Sequence, residues 1–536
     1  MATADPKDPA VTPDMVDRDA PASVIIRSVA PAPVDDPTLG IFVQPGRAAQ
    51  TPAHRLVTVG DSLVHGFQSG AIFNTSLSWP AIVAWELGWD REFRFPRYAG
   101  FGGLPLNIEY LVRVLEDQFG TELSWWELPR ALFSIRAEMD KIEDWWERGA
   151  GSRVPNLATI QHNLGIYGWD VRDALSRSYN YCQRSIAQPK DDLLFQIVED
   201  ANARAALRVL PGHLPDLGSV GAAKALADQG GIETLVVMLG ANNALGTVLS
   251  LGKPKWSSSA LAPSGLPAFQ DLKAKAKFNV WDPDHFAVEW DELATQLLAI
   301  NAENVIVATV PHVTIAPIAR GVGAKIRTGS RYFPYYTRPW IEDADFDPAD
   351  DPHLDERQAR AIDAAIDQYN AHIVQSVRNA RLAGKNWYVL EVCGMLDRLA
   401  QRRYIDDFNA RPGWWRPYEL PATLASLAPP VDSRFFSSDP SGRLRGGLFS
   451  LDGVHPTTVA YGLVAQEVVR IMQQAGVVFR LGNGAPRPGS VQVDFERLLA
   501  EDTLVSHPPK NLKNATSTIG SWDQRLDLLQ RIFRFA

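Results

Sequence analysis

The sequence predicts an α/β protein with a parallel sheet and helices on both faces of that sheet. Compact apolar runs, of the kind buried on both sides in parallel sheets, alternate with helix-like segments. The predicted strands are Leu56–Val59, Leu157–Gln161, Thr234–Leu239, Asn304–Val310 and Trp387–Val392. The predicted helices between them include Ala81–Leu87, Val171–Ser178, Glu289–Ile300 and Arg357–Arg381.

The composition is that of an acidic globular protein. Of 536 residues, 46% are hydrophobic and 21% are charged, and 53 Lys and Arg stand against 62 Asp and Glu, for a net charge of −9. This balance argues against a disordered chain, and the acidity without a basic block argues against a nucleic-acid partner. Because no uninterrupted apolar run reaches about 18 residues, no transmembrane segment is expected.

The two ends of the chain are predicted to be appendages of one large domain. Residues 1–50 are predicted to be an N-terminal tail, flexible over Met1–Asp19, and they lack the basic and apolar start of a signal peptide. This favours a cytoplasmic location, or a secreted form from which a signal has been removed. Residues 51–475 form the predicted domain, and residues 476–536 form a C-terminal extension with an amphipathic helix near Trp522–Phe535.

Long stretches between the predicted strands are interpreted as insertions into that domain. They lie at about 90–155, 253–285, 331–352 and 402–448, and they are rich in aromatic residues. Two roles remain open for them, either lids and binding walls or satellite cores and oligomer contacts. Two cysteines, Cys182 and Cys393, exclude a disulfide framework and a thiolate-rich metal site.

Candidate catalytic residues lie where active sites of parallel sheets are found, beyond the carboxyl ends of the strands. Ser62 follows the first run and opens a predicted helix, where N–H groups favour a developing oxyanion. Asp452 and His455 are three residues apart, close enough for the carboxylate to orient an imidazole that accepts the serine proton. Asp61 and His65 beside the serine are expected to anchor or pack the turn.

Two further residues are candidates for an oxyanion hole. Gly168 comes after the second run, where glycine lets the backbone approach a ligand closely. Asn242 comes after the third run, and its side-chain amide can donate to an oxyanion. The glycines of the segment Gly100–Gly103 are a rival for the first position, and Gly168 is preferred because it follows the better strand.

This set of residues, in this order, resembles the SGNH (GDSL-type) hydrolase superfamily. The matching blocks are Gly60-Asp61-Ser62-Leu63, Gly168, Gly240-Ala241-Asn242 and Asp452-Gly453-Val454-His455-Pro456. Val310-Pro311-His312 resembles a weaker block, in which His312 is expected to be structural. The resemblance covers roughly 200 residues. The chain departs from the family at Asn243, where an aspartate is usual, and in the wide spacing of its first two blocks.

The resemblance implies a three-layer α/β/α fold with a five-stranded parallel, flavodoxin-like sheet. It implies a serine hydrolase that cleaves carboxylic esters, acyl or acetyl, through an acyl-enzyme on Ser62. His455 would act as general base and then general acid, and Asp452 would orient it. The Ser62 N–H, the Gly168 N–H and the Asn242 amide would form the oxyanion hole. No cofactor and no metal are needed for this chemistry.

Other functions stay open at this point. Transfer of the acyl group to an alcohol is a close variant, and the main alternative is a catalytically degenerate binding or scaffold protein on the same fold. A phosphodiesterase or nuclease would need histidine and carboxylate clusters for metals, and the sequence reveals none. The expected partner is a small-molecule, lipid or carbohydrate ester. The acyl length, the alcohol part and the oligomeric state stay open.

Overall fold

The computed structural model describes residues 1–6, 8, 10–43, 51–98, 100, 103–121, 126–188, 197–258 and 275–512. The strands are β1 Thr3–Ala4, β2 Ile25–Ile26, β3 His54–Gly60, β4 Phe67–Gln68, β5 Ala71–Ile72, β6 Leu104–Pro105, β7 Asn163–Gly165, β8 Ile232–Met238, β9 Ala302–Ala308, β10 Arg320–Gly321, β11 Tyr335–Thr337, β12 Leu354–Asp355, β13 Trp387–Leu390, β14 Ser437–Asp439 and β15 Gly442–Arg445. The helices are α1 Ser62–His65, α2 Trp79–Glu86, α3 Ile108–Phe119, α4 Leu128–Glu147, α5 Val171–Ser176, α6 Tyr179–Ser185, α7 Ala201–Val209, α8 Ser219–Asp228, α9 Asn242–Ser250, α10 Pro283–Leu298, α11 Glu356–Leu382, α12 Val392–Leu399, α13 Ala422–Ala425, α14 Thr458–Gln474 and α15 Phe495–Glu501.

Five of the strands belong to one all-parallel sheet, in the order β13–β9–β8–β3–β7. The α/β class and the five-stranded parallel sheet are therefore confirmed. Four of the five predicted runs coincide with β3, β8, β9 and β13 to within two residues at each end. Each of these strands contains a short apolar run, which is the pattern that burial on both faces produces.

The predicted strand over Leu157–Gln161 is wrong, because the second strand of the sheet is β7, Asn163–Gly165. This strand lies at the sheet edge and pairs only with β3. Its first residue is polar, and the Asn163 side chain is satisfied locally by donating to the Val64 carbonyl and accepting from the Gly165 N–H. A three-residue edge strand of this kind carries no apolar signal.

The chain is organised in two compact units, each assembled from separated stretches of sequence. Unit 1 comprises Met1–Arg55, Trp169–Ser176 and Lys224–Glu419. Unit 2 comprises Leu56–Gly168, Arg177–Ala223 and Leu420–Ala536. The predicted C-terminal helix near Trp522–Phe535 lies outside the described residues.

Unit 1 packs two long helices, α10 and α11, through buried aromatic rings. The Phe286 and Tyr369 rings stack with centroids 4.1 Å apart, and Trp290 donates from Nε1 to Ser376 Oγ at 3.0 Å. Helix α11 begins at a capping box, in which the Asp355 side chain accepts the Gln358 N–H and the Gln358 side chain accepts the Asp355 N–H. The predicted helices over 289–300 and 357–381 correspond to these two elements.

The N-terminal residues, expected to be a tail, pack onto unit 1 instead. Val24 and Ile26 are fully buried, and the Ile25 N–H donates to Gln368 of α11 at 2.9 Å. Ser23 donates to the Asp282 carboxylate at 2.7 Å. The polar and proline-containing composition of the first residues concealed a few apolar side chains, and these bury themselves against the helix.

Unit 2 is built around β3, β7 and helix α14, which follows the block Asp452-Gly453-Val454-His455-Pro456. In the strand pair, Thr58 lies opposite Asn163 and Gly60 lies opposite Gly165. Helix α14 packs on α2 and on α15. Gly462 permits the second of these contacts, since a Cβ added there would lie 2.5 Å from Leu498 Cδ1.

Several large aromatic residues of the predicted insertions are buried. Trp146, Tyr332, Trp415 and Phe436 are at most 5% exposed, and Trp415 belongs to a small separate core with Tyr404. This burial supports satellite cores rather than lids for these residues. Trp125 lies outside the described residues, and its neighbour Trp126 is 66% exposed. Among the described residues, no helix combines the length and the apolar composition needed to cross a bilayer.

Ile26 provides a test of the packing of the N-terminal residues. Ile26→Ala is expected to lower the free energy of unfolding by about 2–5 kcal/mol, because the side chain is fully buried. The adjacent Ile25 is 37% exposed, so Ile25→Ala is the matched control and is expected to cost less than about 1 kcal/mol. Urea unfolding measures both. Equal midpoints for the two variants would contradict the packing described here.

Candidate active site

Ser62, His455 and Asp452 meet within unit 2, although the serine and the histidine are 393 residues apart in sequence. The His455 Nε2 atom lies 2.8 Å from Ser62 Oγ, and its Nδ1 atom lies 3.0 Å from Asp452 Oδ2. Ser62 is 5% exposed, His455 is 2% exposed and Asp452 is fully buried. The three groups form a continuous hydrogen-bonded chain from hydroxyl to imidazole to carboxylate.

Ser62 is positioned by a tight turn at the carboxyl end of β3. Asp61 caps the turn, because its side chain accepts the Leu63 N–H at 3.0 Å, which agrees with the predicted anchoring role. Helix α1 is a single turn and ends at Gly66, with φ of +89°. A Cβ at Gly66 would lie 2.7 Å from Ser78 Cβ, so only glycine fits there.

The Asp452 carboxylate is held by five donors. Its Oδ2 accepts the Gly70 N–H at 2.9 Å in addition to the His455 ring. Its Oδ1 accepts the N–H groups of Val454 and His455, each at 2.8 Å, and the Ser450 hydroxyl at 3.3 Å. This saturation fixes the rotamer of the aspartate, and the fixed carboxylate in turn fixes the tautomer and the orientation of the imidazole.

The segment before Asp452 is tied to a second turn of unit 2. The Ser69 N–H donates to Ser450 Oγ at 2.9 Å, and the Leu451 N–H donates to Ser69 Oγ at 3.2 Å. Ser69 has a φ of +48°, an uncommon value for a residue with a side chain. This conformation aims the following N–H, that of Gly70, at the Asp452 carboxylate.

Aromatic side chains hold the other side of the histidine. The Phe67 ring lies 4.5 Å from the His455 ring, centroid to centroid, and is fully buried. The Tyr461 hydroxyl of α14 donates to the Phe67 carbonyl at 2.8 Å, and it lies 3.5 Å from the Ser62 carbonyl. One buried tyrosine therefore ties the serine turn to the residue that packs on the histidine.

Burial sets the charge states around the serine. It raises the pKa of Asp61 to about 7 and lowers the pKa of His65 to about 3. Burial by itself would also raise the pKa of Asp452, but the adjacent His455 and the hydrogen bonds from its ring and backbone hold that pKa below its usual value. Asp452 is thus the ionised carboxylate beside His455, and His65 is a neutral imidazole.

His65 is a packing residue, in agreement with the prediction that it is not the catalytic base. Its Nδ1 accepts the Tyr167 N–H at 3.2 Å, and its Nε2 lies 2.7 Å from the Tyr98 hydroxyl. Gly165 on β7 lies directly against helix α1, since a Cβ at Gly165 would be 2.7 Å from the backbone nitrogen of His65. No local sequence pattern predicts the contacts of Tyr98 or Tyr461, because both residues approach the turn from distant parts of the chain.

Gly168 lies in unit 2, three residues beyond β7, and has a φ of +74°. The rival segment is only partly described, because Phe101 and Gly102 lie outside the described residues. At Gly100, a Cβ would clash with the Trp145 ring of helix α4, and at Gly103 a Cβ would lie 2.8 Å from Phe73 Cβ. Close packing therefore accounts for these two rival glycines.

Asn242 lies in unit 1 as the first residue of α9, at the carboxyl end of β8. Its Nδ2 donates to the Trp169 carbonyl at 2.7 Å. The next residue, Asn243, is fully buried and accepts the Val171 N–H at its side-chain oxygen. Asn243 is thus a structural residue of α9 and α5, at the position where the resemblance leads one to expect an aspartate.

A second cluster of chemically capable side chains lies in unit 1 around His312. The His312 Nδ1 atom lies 3.1 Å from Asp397 and 3.6 Å from Cys393 Sγ, and Nε2 lies 3.0 Å from Asp367. Among the described residues, His312, Cys393 and Asp397 form the one group with the ligand types and proximity to hold a metal ion. No local motif predicts this cluster from the sequence, because its members are separated by up to 85 residues.

The charge states of this cluster reflect competing effects. Burial alone would lower the pKa of His312, but the Cys393 sulfur and the surrounding carboxylates raise it well above the usual value. Burial raises the pKa of the Cys393 thiol to about 12. Arg403 pairs with Asp363 at 3.0 Å within the same cluster. The sequence predicts only that His312 is a structural residue, and it does not predict the contacts of His312 with Asp367, Cys393 and Asp397.

Comparisons with known proteins found no match: the chain matches no family model, no curated protein and no solved structure. The contacts of Ser62, His455 and Asp452 are therefore the main physical observations from which a function can be inferred.

Asp61 makes the stability of the protein depend on pH. Its pKa is about 7 in the folded protein, whereas the usual value of 3.8 applies to the unfolded chain. Between these two values the folded protein holds a proton that the unfolded chain releases. The stability contributed by this group is therefore lost as pH rises from about 4 to about 7. Asp61→Asn removes the ionisation. The free energy of unfolding of this variant, relative to that of the original protein, is therefore expected to rise by on the order of 2 kcal/mol from pH 5 to pH 8.

Urea unfolding at the two pH values measures this gain. The control is Asp90→Asn, which changes an exposed aspartate of the same unit and is expected to behave alike at both pH values. If the difference in free energy of unfolding between Asp61→Asn and the original protein is the same at pH 5 and pH 8, Asp61 is ionised in the folded state at both pH values.

Proposed function

We propose that the protein is a serine hydrolase that cleaves carboxylic esters through an acyl-enzyme on Ser62. The observation that carries the proposal is the chain of contacts from Ser62 Oγ to His455 Nε2, at 2.8 Å, and from His455 Nδ1 to Asp452, at 3.0 Å. A serine hydroxyl is a weak nucleophile unless a base accepts its proton, and these distances allow that transfer. The substrate class is a small-molecule, lipid or carbohydrate ester.

The reaction follows from the placement of the protons. His455 Nε2 accepts the Ser62 proton as Oγ attacks the acyl carbonyl, and the Asp452 carboxylate stabilises the imidazolium that forms. The imidazolium then donates its proton to the leaving alcohol, which leaves the acyl group on Ser62. Water, deprotonated by the same imidazole, then attacks the acyl carbon. The ester bond to Ser62 breaks, Oγ takes the proton back from the imidazolium, and the acid is released. An added alcohol can take the place of water, and the product is then a new ester.

The negative charge on the carbonyl oxygen needs donors fixed in advance. We assign this role to the N–H groups of Ser62 and Gly168 and to the Asn242 amide. The assignment of Asn242 rests on the sequence resemblance. The assignment of Gly168 is supported by its place just beyond β7, the neighbour of the strand that ends before the serine, and by the packing role of Gly100 and Gly103.

The strand order supports an SGNH-type, three-layer fold for this chemistry. Numbered by their order in the chain, the five parallel strands lie as 2-1-3-4-5, which is the flavodoxin-like order of doubly wound proteins. Catalytic serines of such folds are expected beyond the carboxyl ends of the strands, and Ser62 follows β3 after one intervening residue.

The alternative, a degenerate scaffold on the same fold, is less well supported by the surroundings of the histidine. Five donors saturate Asp452, and Phe67 and Tyr461 hold the ring and the serine turn. A protein that only binds a partner has no need to orient an imidazole toward a hydroxyl. The order around His455 therefore favours catalysis.

Ser62→Ala is the direct test of the proposal. The original protein is expected to react stoichiometrically with a fluorophosphonate probe and to hydrolyse p-nitrophenyl esters in a series from acetate to palmitate. Ser62→Ala is expected to lose the labelling and at least about 10⁴-fold in kcat/KM, because the nucleophile is gone. Ser76→Ala, which changes an exposed serine of unit 2, is the matched control and is expected to keep both.

Absence of labelling in the original protein would favour the scaffold alternative. Labelling that persists in Ser62→Ala would mean that another nucleophile reacts. Product analysis with and without added alcohol separates hydrolysis from acyl transfer on the same samples.

Asn242→Ala tests the oxyanion assignment. Loss of one preorganised donor is expected to lower kcat by about 10²–10³-fold with little change in KM, because the donor acts on the charge of the transition state. Asn301→Ala, an exposed asparagine of unit 1, is the control. A kcat unchanged in Asn242→Ala would remove this residue from the oxyanion hole and leave it only its hydrogen bond to Trp169.

A further inference from the structure

Two neighbouring strands of unit 1 bring a histidine, a cysteine and an aspartate to one place. Strands β9 and β13 are parallel, with Val307 opposite Val389, and their carboxyl ends therefore lie at the same edge. His312 follows the first strand, and Cys393 and Asp397 lie on α12, which follows the second. The cysteine and the aspartate are four residues apart and so share one face of the helix.

The distances from His312 Nδ1 to the other two side chains fit the edges of a tetrahedral metal site, and the three ligand atoms lie within 4.8 Å of one another. With metal–sulfur bonds of about 2.3 Å and metal–nitrogen or metal–oxygen bonds of about 2.0–2.2 Å, sulfur–nitrogen edges are about 3.6 Å and nitrogen–oxygen edges about 3.3 Å. Cys393 Sγ lies 3.6 Å from His312 Nδ1, and the Asp397 oxygens lie 3.1 Å and 3.3 Å from the same nitrogen.

The other nitrogen of His312 is placed as in metal-binding histidines. Such histidines commonly donate their second ring N–H to a carboxylate, which fixes the tautomer and strengthens the ligand. Here Nε2 lies 3.0 Å from Asp367 Oδ1 on α11. Asp367 thus leaves Nδ1 as the nitrogen that faces the cysteine and the second aspartate.

We propose that His312, Cys393 and Asp397 bind one divalent cation of the zinc class, with Asp367 as the partner of the ligating histidine. A thiolate and an imidazole in one ligand set favour zinc or cobalt over magnesium and calcium, which prefer oxygen ligands. Three protein ligands leave one coordination position for water or another small ligand.

The ligands are also held in position without the metal. His312 is 1% exposed, Asp397 is 3% exposed and Cys393 is 6% exposed. The Cys393 N–H donates to Thr309 Oγ1 at 3.0 Å, and this contact joins the end of β9 to the start of α12. A site that is already ordered loses little conformational freedom when a metal binds. All of these residues belong to unit 1, and the proposal is independent of the ester hydrolysis proposed for Ser62.

The test measures metal in the full chain, expressed in minimal medium supplemented with zinc or with cobalt, because a buried site loads best during folding. About one equivalent of zinc per chain is expected by elemental analysis. The cobalt form is expected to show an intense sulfur-to-cobalt charge-transfer band and the visible bands of tetrahedral cobalt. Cys393→Ser is expected to lose the charge-transfer band and at least about ten-fold in bound metal.

Cys182→Ser is the matched control, because Cys182 is the other cysteine and is equally buried, but lies in unit 2. It is expected to retain both the metal and the band. Less than about a tenth of an equivalent of either metal in the original protein would overturn the proposal. Retention of the band in Cys393→Ser, or its loss in Cys182→Ser, would equally overturn it.

Two readouts cover the case in which Cys393→Ser does not fold. The cobalt spectrum of the original protein reports by itself whether a thiolate is a ligand. Asp367→Asn keeps the size of the side chain, and it is expected to lower the metal content about 10–100-fold at limiting zinc while the protein stays folded by circular dichroism. Fluorophosphonate labelling of Ser62 on the same samples reports the hydrolase proposal separately.

Discussion

A buried carboxylate has to satisfy its lone pairs inside the protein, and Asp452 does so with donors from two separate segments of unit 2. The Gly70 N–H comes from one turn, and the remaining donors come from the loop of the aspartate itself. This arrangement fixes the carboxylate before any substrate arrives. The position of His455, the tautomer of its ring and its distance to Ser62 all depend on that carboxylate.

Three buried histidines show how neighbours decide what an imidazole can do. His65 faces a tyrosine hydroxyl and a backbone N–H, and burial keeps it neutral. His455 faces one carboxylate and one hydroxyl, which is the arrangement of a base ready to accept a proton. His312 lies between two carboxylates and beside a thiol, and it resembles either an ion-paired imidazolium or a metal ligand. The same side chain is thus found in three different surroundings, and its chemical properties follow from its neighbours.

The sequence predicted those parts of the structure that depend on local sequence patterns. Continuous apolar runs located four of the five sheet strands, and the spacing of Asp452 and His455 placed the carboxylate beside the imidazole. The edge strand β7 was missed because pairing on one side requires no apolar run. The His312 cluster was missed because residues from a loop and two helices form it, and only the folded sheet brings them together.

The stretches of unit 2 lie in sequence on both sides of Lys224–Glu419, the longest stretch of unit 1, and this order has a consequence for biosynthesis. A ribosome that adds about 5–20 residues per second needs about 20–80 s to make the 393 residues between the serine and its histidine. During that time the early stretch of unit 2 has no α14 to cover its apolar surface. Nascent chains would therefore depend on chaperones, and a premature stop before the last stretch would release an aggregation-prone product.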